Sequence, residues 1–111
     1  MNNFNQTLGI RSGEEENTVL LETRPEHQIV DGVIHFAVLT TLAEVSAAGA
    51  VGGPVVPASV TVNLLRAASP GQLLGRGKVI KRGRRLSVAE GEVFQGEKIV
   101  AKAVVTFAVT G

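Results

Sequence analysis

One carboxylate stands alone in the most apolar part of the chain. Glu44 is the only charged side chain between Asp31 and Arg66 when both histidines are counted as neutral. The other residues of the stretch 33–51 are Ala, Val, Leu, Ile, Phe, Thr, Ser, Gly and one His. Burying a carboxylate among such residues is costly unless a partner pairs with it or a reaction uses it. Glu44 is therefore the first candidate for chemistry.

Length and composition limit the classes of protein to which the chain can belong. At 111 residues it is one small domain, and small domains often gain stability by oligomerising. The net charge is +1 and the only aromatic residues are four Phe, so neither electrostatic attraction nor base stacking favours nucleic acid as a partner. The chain has no Cys, which excludes disulfides and thiolate metal sites.

Neither a targeting signal nor a membrane span is predicted. The N-terminus, MNNFNQTLGIRSGEEE, lacks a basic segment followed by an apolar one, which indicates a cytoplasmic protein. The apolar stretch 33–52 is long enough to raise the question of a membrane span. Glu44 lies near its middle, however, and Gly52-Gly53-Pro54 ends it. A buried core helix is therefore favoured.

The elements that must position Glu44 follow from turn signals and periodicity. Residues 1–16 are polar, and the run SGEEE at 12–16 predicts a turn or a frayed end. Residues 17–111 are expected to form one domain. Residues 33–50 predict a helix that is apolar nearly all round, so that a wrapped sheet or a second subunit must cover it. Strands are predicted at 17–24, 59–66, 72–81, 85–94 and 98–109. Their short loops predict an antiparallel meander.

The segment from Gly32 to Glu44, GVIHFAVLTTLAE, resembles the signature of hotdog-fold thioesterases of the phenylacetate-pathway and 4-hydroxybenzoyl-CoA group. That signature is Gly, two residues, His-Gly-Gly, and a carboxylate nine residues after the His, which is the spacing of His35 and Glu44. The run SVTVNLLRAASPG at 59–71 resembles a later motif of the family. The resemblance implies an α+β hotdog fold, in which an antiparallel β-sheet wraps around one long central α-helix.

Two positions depart from the family pattern. Phe36-Ala37 stands where the family has Gly-Gly. The Asn expected six residues before the His falls on Ile29, with Gln28 beside it. Both departures concern the substrate site more than the fold.

The resemblance implies acyl-CoA thioesterase activity and assigns roles to four residues. Glu44 matches the catalytic carboxylate, a nucleophile or a base for water, although a purely structural role is the alternative. The backbone N–H of Phe36, at the start of the helix, would polarise the thioester carbonyl, since a helix N-terminus favours developing negative charge. His35 would orient the helix start or transfer a proton. Ser59 would hold the attacking water or the carboxylate, or would be a turn hydroxyl, with Thr61 as the fallback.

The spacing of the site residues bears on the oligomeric state. On one helix, His35 and Glu44 lie about half a turn apart in direction and about 13 Å apart along the axis. One helix cannot easily direct both at a single thioester. Two antiparallel helices can, which predicts a homodimer or homotetramer with His35 and Phe36 of one subunit facing Glu44 of another.

Coenzyme A enters as part of the substrate, and no separate cofactor is implied. Lys81-Arg82-Gly83-Arg84-Arg85 is either a solvated hairpin tip or a dock for coenzyme A phosphates, formed by Arg82, Arg84 and Arg85. No metal site is predicted, because His27 and His35 have no carboxylate at metal-ligand spacing.

The predicted function is therefore an acyl-CoA thioesterase, and two rivals remain. The first is a non-catalytic hotdog protein that binds acyl-CoA or another small ligand. The second is a hydratase or dehydratase on the same fold, which would need a His and a carboxylate at one substrate carbon. Asp31 and His35 are the only nearby pair for that chemistry.

Overall fold

A six-stranded antiparallel sheet lies against one long helix in the computed structural model, which describes residues 3–110. In chain order the elements are α1 (Phe4–Leu8), β1 (Arg11–Ser12), β2 (Thr18–Glu22), β3 (Gln28–Val30), β4 (Val33–Ile34), α2 (Phe36–Val51), β5 (Val55–Leu64), β6 (Gln72–Lys81), β7 (Leu86–Gln95) and β8 (Lys98–Val109). The strand order is β1-β2-β6-β7-β8-β5, and β3 and β4 form a separate two-stranded ribbon.

The predicted helix and strands are present, but the predicted meander is only partly correct. Strands β6, β7 and β8 do form a meander through adjacent antiparallel pairs. Strand β5 pairs with β8 and not with β6, so it lies at the far edge of the sheet. The segment 65–71 then carries the chain back to β6, which pairs with β2. The loop is long enough to cross the sheet, which the sequence pattern of strands and turns does not reveal.

The polar N-terminal segment contains a short helix and a short strand, and the turn predicted at 12–16 lies at 14–17, between β1 and β2. Helix α1 begins with a reciprocal cap, in which the side chains of Asn3 and Gln6 each accept the other's backbone N–H at 2.9 Å. Leu8 and Ile10 pack against the core, and β1 pairs with β2. Met1 and Asn2, and Gly111 at the end of the expected domain, lie outside the described residues.

Glycines in the sheet let α2 lie directly on β6 and β7. A Cβ atom on Gly77 would overlap the carbonyl oxygen of Ser46, and one on Gly91 would overlap that of Ala43. Such a close approach of helix and sheet backbones requires glycine at these positions. It fixes the rotation of α2, so that Ala43 and Ser46 face the sheet and the neighbouring Glu44 lies towards the other side of the helix.

Residues 3–110 leave the side of α2 that faces away from the sheet partly open to solvent. Phe36 at its start is 53% exposed, and Glu44 is half-buried. Beside the helix, Val60 and Leu64 of β5 point to the same side of the sheet as α2, because they pair with the fully buried Val105 and Ala101. They nevertheless remain 42% and 49% exposed. The prediction that α2 needs more than one small sheet to cover it is consistent with this exposure.

At 16 residues α2 is the longest helix in the described part of the chain. None of the helices between residues 3 and 110 combines the length and apolar character needed to span a membrane.

Candidate active site

The N-terminus of α2 is held by two histidines. His35 is the N-cap residue, and its Nδ1 accepts the backbone N–H of Ala37 at 2.9 Å. Its own backbone N–H donates to the carbonyl oxygen of His27 at 2.8 Å. The His27 ring is buried, and its Nδ1 accepts the backbone N–H of Arg24 at 2.9 Å. Both histidines thus fix the entry into α2, which supports the orienting role for His35.

The first backbone donor of this helix end is free of hydrogen bonds within residues 3–110. The N–H of Ala37 is bonded to the His35 ring, and the N–H of Val38 donates to the His35 carbonyl oxygen. Among residues 3–110, the N–H of Phe36 has no hydrogen-bond partner. The Phe36 ring stacks on the His35 ring with centroids 4.7 Å apart. A free N–H at the positive end of a helix is a suitable donor to an oxygen on which negative charge develops.

Glu44 lies two turns further along α2 without any compensating partner. No hydrogen bond or ion pair within residues 3–110 involves its carboxylate. Burial among apolar groups raises the pKa of Glu44 above its ordinary value of 4.5. A carboxylate of raised pKa is a better proton acceptor than an exposed one. Along the helix axis it lies about 12 Å from Phe36, too far for both to contact one thioester group.

The raised pKa of Glu44 predicts a pH-dependent gain in stability for Glu44→Gln. Between pH 4.5 and the higher folded-state pKa, the folded chain holds a proton that the unfolded chain has lost, so parental stability falls as pH rises through this window. The variant carries no such penalty. It should be more stable at neutral pH by less than about 1 kcal/mol, because water screens the half-exposed carboxylate. Urea unfolding at pH 4 and pH 8 measures the difference, and an equal gain at both values would contradict this cause.

The structure does not bring Ser59 to this side of the sheet. Ser59 pairs with Thr106, between the inward-facing Val105 and Phe107, so its side chain lies on the face away from α2. Thr61 pairs with the exposed Val104 and lies on that face too. Both hydroxyls are therefore separated from Glu44 of the same chain by the sheet.

The position where the family has Asn carries no polar group. Ile29 is 53% exposed in the ribbon of β3 and β4 near the start of α2. The neighbouring Gln28 does not replace the missing amide, because its side-chain oxygen accepts the backbone N–H of Gly32 at 2.6 Å and closes the ribbon turn. Asp31 is exposed in that turn and makes no hydrogen bond to His35.

Of the three arginines in the basic hairpin, Arg82 is bonded to α2, whereas Arg84 and Arg85 make no hydrogen bond or ion pair through their side chains within residues 3–110. The guanidinium of Arg82 donates to the carbonyl oxygens of Val51 at 2.6 Å and Ala50 at 3.5 Å, so it caps the C-terminus of α2. Arg84 and Arg85 are exposed at the hairpin tip. Since α2 has 16 residues, this tip lies at the opposite end of the helix from Phe36, about 24 Å away along the axis.

In a single chain the groups of the predicted site are therefore far apart. The free N–H lies at the start of α2, the carboxylate lies in its middle, and the hairpin cations lie beside its C-terminal end. A concavity of about 380 Å³ lies elsewhere, on the outer face of the sheet, and none of the predicted site residues lines it. Leu20, Leu74 and Phe94 form its apolar part, with Glu14 and Glu15 beside them.

Comparison with known proteins shows which family the chain resembles. Residues 23–108 match the family model for the acyl-CoA thioesterase N-terminal domain. No curated protein sequence matches the chain.

Three solved structures share the architecture over nearly the whole chain. A variant of the phenylacetic acid degradation protein PaaI from Thermus thermophilus is 26% identical, with 96% of this chain and 98% of that chain covered and a TM-score of 0.87. A conserved protein from Pseudomonas aeruginosa is 26% identical, with 97% and 94% covered and a TM-score of 0.86. A thioesterase from Haemophilus influenzae, 22% identical with 99% and 84% covered, superposes with a TM-score of 0.89. The predicted hotdog fold is confirmed.

Proposed function

The chain belongs to the family of acyl-CoA thioesterase N-terminal domains and is by that membership a thioester hydrolase, and we propose that it cleaves acyl-CoA by carboxylate-assisted attack of water. The observation that carries this mechanism is the presence, on one helix, of a free N–H at Phe36 and a lone desolvated carboxylate at Glu44. The first can stabilise negative charge, and the second can accept a proton.

In the proposed reaction the thioester carbonyl oxygen accepts the Phe36 N–H. Water attacks the carbonyl carbon while Glu44 accepts a proton from the water. The carbonyl oxygen becomes an oxyanion, which the Phe36 N–H and the helix dipole stabilise. The carbon–sulfur bond then breaks, coenzyme A leaves as the thiolate, and the proton held by Glu44 returns to the sulfur. His35 keeps the helix start in place and is not required to transfer a proton.

We place the reaction between two copies of the chain, with Phe36 from one and Glu44 from the other. Two observations support this. The two groups lie about 12 Å apart on one helix, and the side of α2 that carries them is open to solvent. A twofold axis that sets two α2 helices antiparallel brings the start of each to the middle of the other.

We expect the protein to be at least a dimer, because β5 is a ten-residue edge strand with exposed apolar side chains beside the open side of α2. A second copy related by a twofold axis would cover both. Light scattering at micromolar concentration should give twice the chain mass or a higher multiple, such as the tetramer. A stable, folded monomer at that concentration would contradict the interfacial site.

The free cations of the hairpin are proposed to bind coenzyme A phosphates. In the antiparallel arrangement, the hairpin nearest a site belongs to the copy that supplies Glu44, because the C-terminus of α2 lies only about 10 Å beyond that residue. Reversing Arg84 and Arg85 to Glu should raise KM in a salt-dependent manner without lowering stability. Arg82→Ala is the contrasting variant, since loss of its hydrogen bonds to the C-terminus of α2 should lower stability by about 1 kcal/mol. An unchanged KM for the double reversal would leave Arg84 and Arg85 as plain surface residues.

A panel of acyl-CoA substrates with detection of the released thiol tests the proposal as a whole. Turnover on at least one aliphatic or aromatic acyl-CoA is the expected result. If no substrate is hydrolysed but acyl-CoA binds, the non-catalytic rival is correct. That rival is favoured by Ile29, which presents an apolar side chain where the family has an amide. The hydratase rival has no comparable support, because Asp31 and His35 do not converge. The cytoplasmic location stays a prediction.

A further inference from the structure

Helix α2 carries three hydroxyl side chains, and they do not behave alike. Thr41 donates to the carbonyl oxygen of Ala37 at 2.8 Å, and Ser46 donates to that of Leu42 at 2.6 Å. Both make the usual bond to the residue four positions earlier, by which helical Ser and Thr satisfy themselves. Thr40 is the exception: its Oγ1 is buried and has no hydrogen-bond partner among residues 3–110. A buried, unpaired hydroxyl is costly and requires an explanation.

The position of Thr40 on α2 supplies an explanation for its unpaired hydroxyl. It lies one turn after Phe36 and one turn before Glu44, so the three side chains follow one ridge of the helix. Residues four apart on a helix have Cβ atoms about 5–6 Å apart, and long helical side chains lean towards the N-terminus. In these favoured rotamers the carboxylate of Glu44 leans back over Thr40. Like the hydroxyl, it has no partner within the described part of the chain.

We propose that Thr40 is a positioning residue whose hydroxyl donates to one carboxylate oxygen of Glu44 when a second copy and the substrate exclude water from the site. The bond would hold one oxygen still and leave the other free to accept a proton from the attacking water. It would also satisfy the buried hydroxyl. The inference rests on the proposed role of Glu44 and adds a residue that acts through it.

Among residues 3–110, no other ionisable group faces Glu44 from the strands packed against α2. Strands β2, β5, β6, β7 and β8 pack against α2. Their helix-facing positions are occupied by aliphatic residues, Gly, Ser87 and Phe107, none of which titrates in the working range. Along α2 itself, the nearest titratable or charged groups are His35 at its start and Arg82 beyond its end. In the oligomer the start of α2 of a second copy, with its own His35, also faces Glu44. That group is the same in the parent and in every Thr40 variant, so a difference in Glu44 protonation between them reports the Thr40 hydroxyl.

The test measures the pKa of Glu44 in the native oligomer by carbon NMR. The protein is labelled at the side-chain carboxyl carbon of Glu, and the Glu44 signal is identified as the one that is missing from the spectrum of Glu44→Gln. Thr40→Val keeps the shape and removes the donor, so the pKa of Glu44 should rise by about one unit. Thr40→Ser should restore the parental value. Thr41→Val, which removes a neighbouring hydroxyl bonded to the backbone, is the matched control and should leave the pKa unchanged.

Kinetics supply a second readout. In Thr40→Val the acid limb of the kcat–pH profile should move up by the same amount, with KM unchanged. If Thr40→Val and Thr41→Val give the same Glu44 pKa as the parent, the positioning role is wrong even if the enzyme is active. If the parent hydrolyses no acyl-CoA, the proposed function fails, but the NMR titration still decides whether Thr40 bonds to Glu44. Thr40→Ala removes the same donor with less bulk and answers the question if the Val variant folds poorly.

Discussion

Glu44→Gln should lower kcat by roughly two orders of magnitude or more while changing KM little, because the amide keeps the shape and polarity of the side chain but cannot accept the proton of the attacking water. The carboxylate is a lone desolvated group on α2, and no strand between residues 3 and 110 directs another carboxylate to the helix-facing side of the sheet. No neighbouring base is therefore available to take over its role within the chain.

Steady-state kinetics on the best substrate of the acyl-CoA panel measure this effect. Circular dichroism and light scattering of the variant serve as the control for fold and assembly. Near-parental turnover in a correctly assembled Glu44→Gln protein would show that Glu44 is not the base.

Phe36→Pro should be almost as damaging, although it removes only one hydrogen atom from the proposed machinery. Proline has no N–H, and loss of one donor to an oxyanion costs about 100- to 1000-fold in kcat. The substitution suits the local backbone. Phe36 is the first residue of α2, where proline is favoured, and His35 before it has φ −61° and ψ 137°, the extended conformation that a following proline requires.

Phe36→Gly is the matched control for this prediction. It removes the same ring but keeps the N–H, and it restores the first Gly of the family pattern. Because Phe36 is 53% exposed, its loss should not unfold the chain, and hydrolysis should persist with a broader range of acyl groups. If the Gly and Pro variants are equally impaired, the Phe36 side chain and not its N–H carries the function. A collapse of the Gly variant in a thermal melt would instead identify Phe36 as a structural anchor.

The sequence was sufficient to predict the long helix, the five main strands, the backbone N–H at the helix start and the lone carboxylate in its middle, because each depends on local chemistry. An 18-residue apolar stretch with one Glu predicts both a helix and its unusual residue. A helix start also exposes a backbone N–H whatever side chain follows, which is why the change from Gly to Phe36 leaves that prediction intact. The spacing of His35 and Glu44 likewise determines their separation along α2.

Features that depend on register and on distant contacts were not accessible. The face on which Ser59 lies is set by an irregularity in the pairing of β5 and β8 between Pro57 and Ser59, and a shift of one residue moves every side chain to the other face. The cap that Arg82 forms on α2 joins residues 31 positions apart in the chain. The Thr40 hydroxyl is unpaired, whereas that of the neighbouring Thr41 bonds to a backbone carbonyl of the same helix, and this difference depends on the side-chain rotamers. No spacing in the sequence encodes these three facts.

Mixed dimers of Glu44→Gln and Phe36→Pro chains test the central claim, that one copy supplies the carboxylate and the other the N–H. Each variant alone should be nearly inactive. A mixed dimer isolated with two different affinity tags has one site with both defects and one intact site, so it should regain about half of the parental turnover per dimer. Mixed dimers as inactive as either variant alone would place both groups in one chain and contradict the interfacial mechanism.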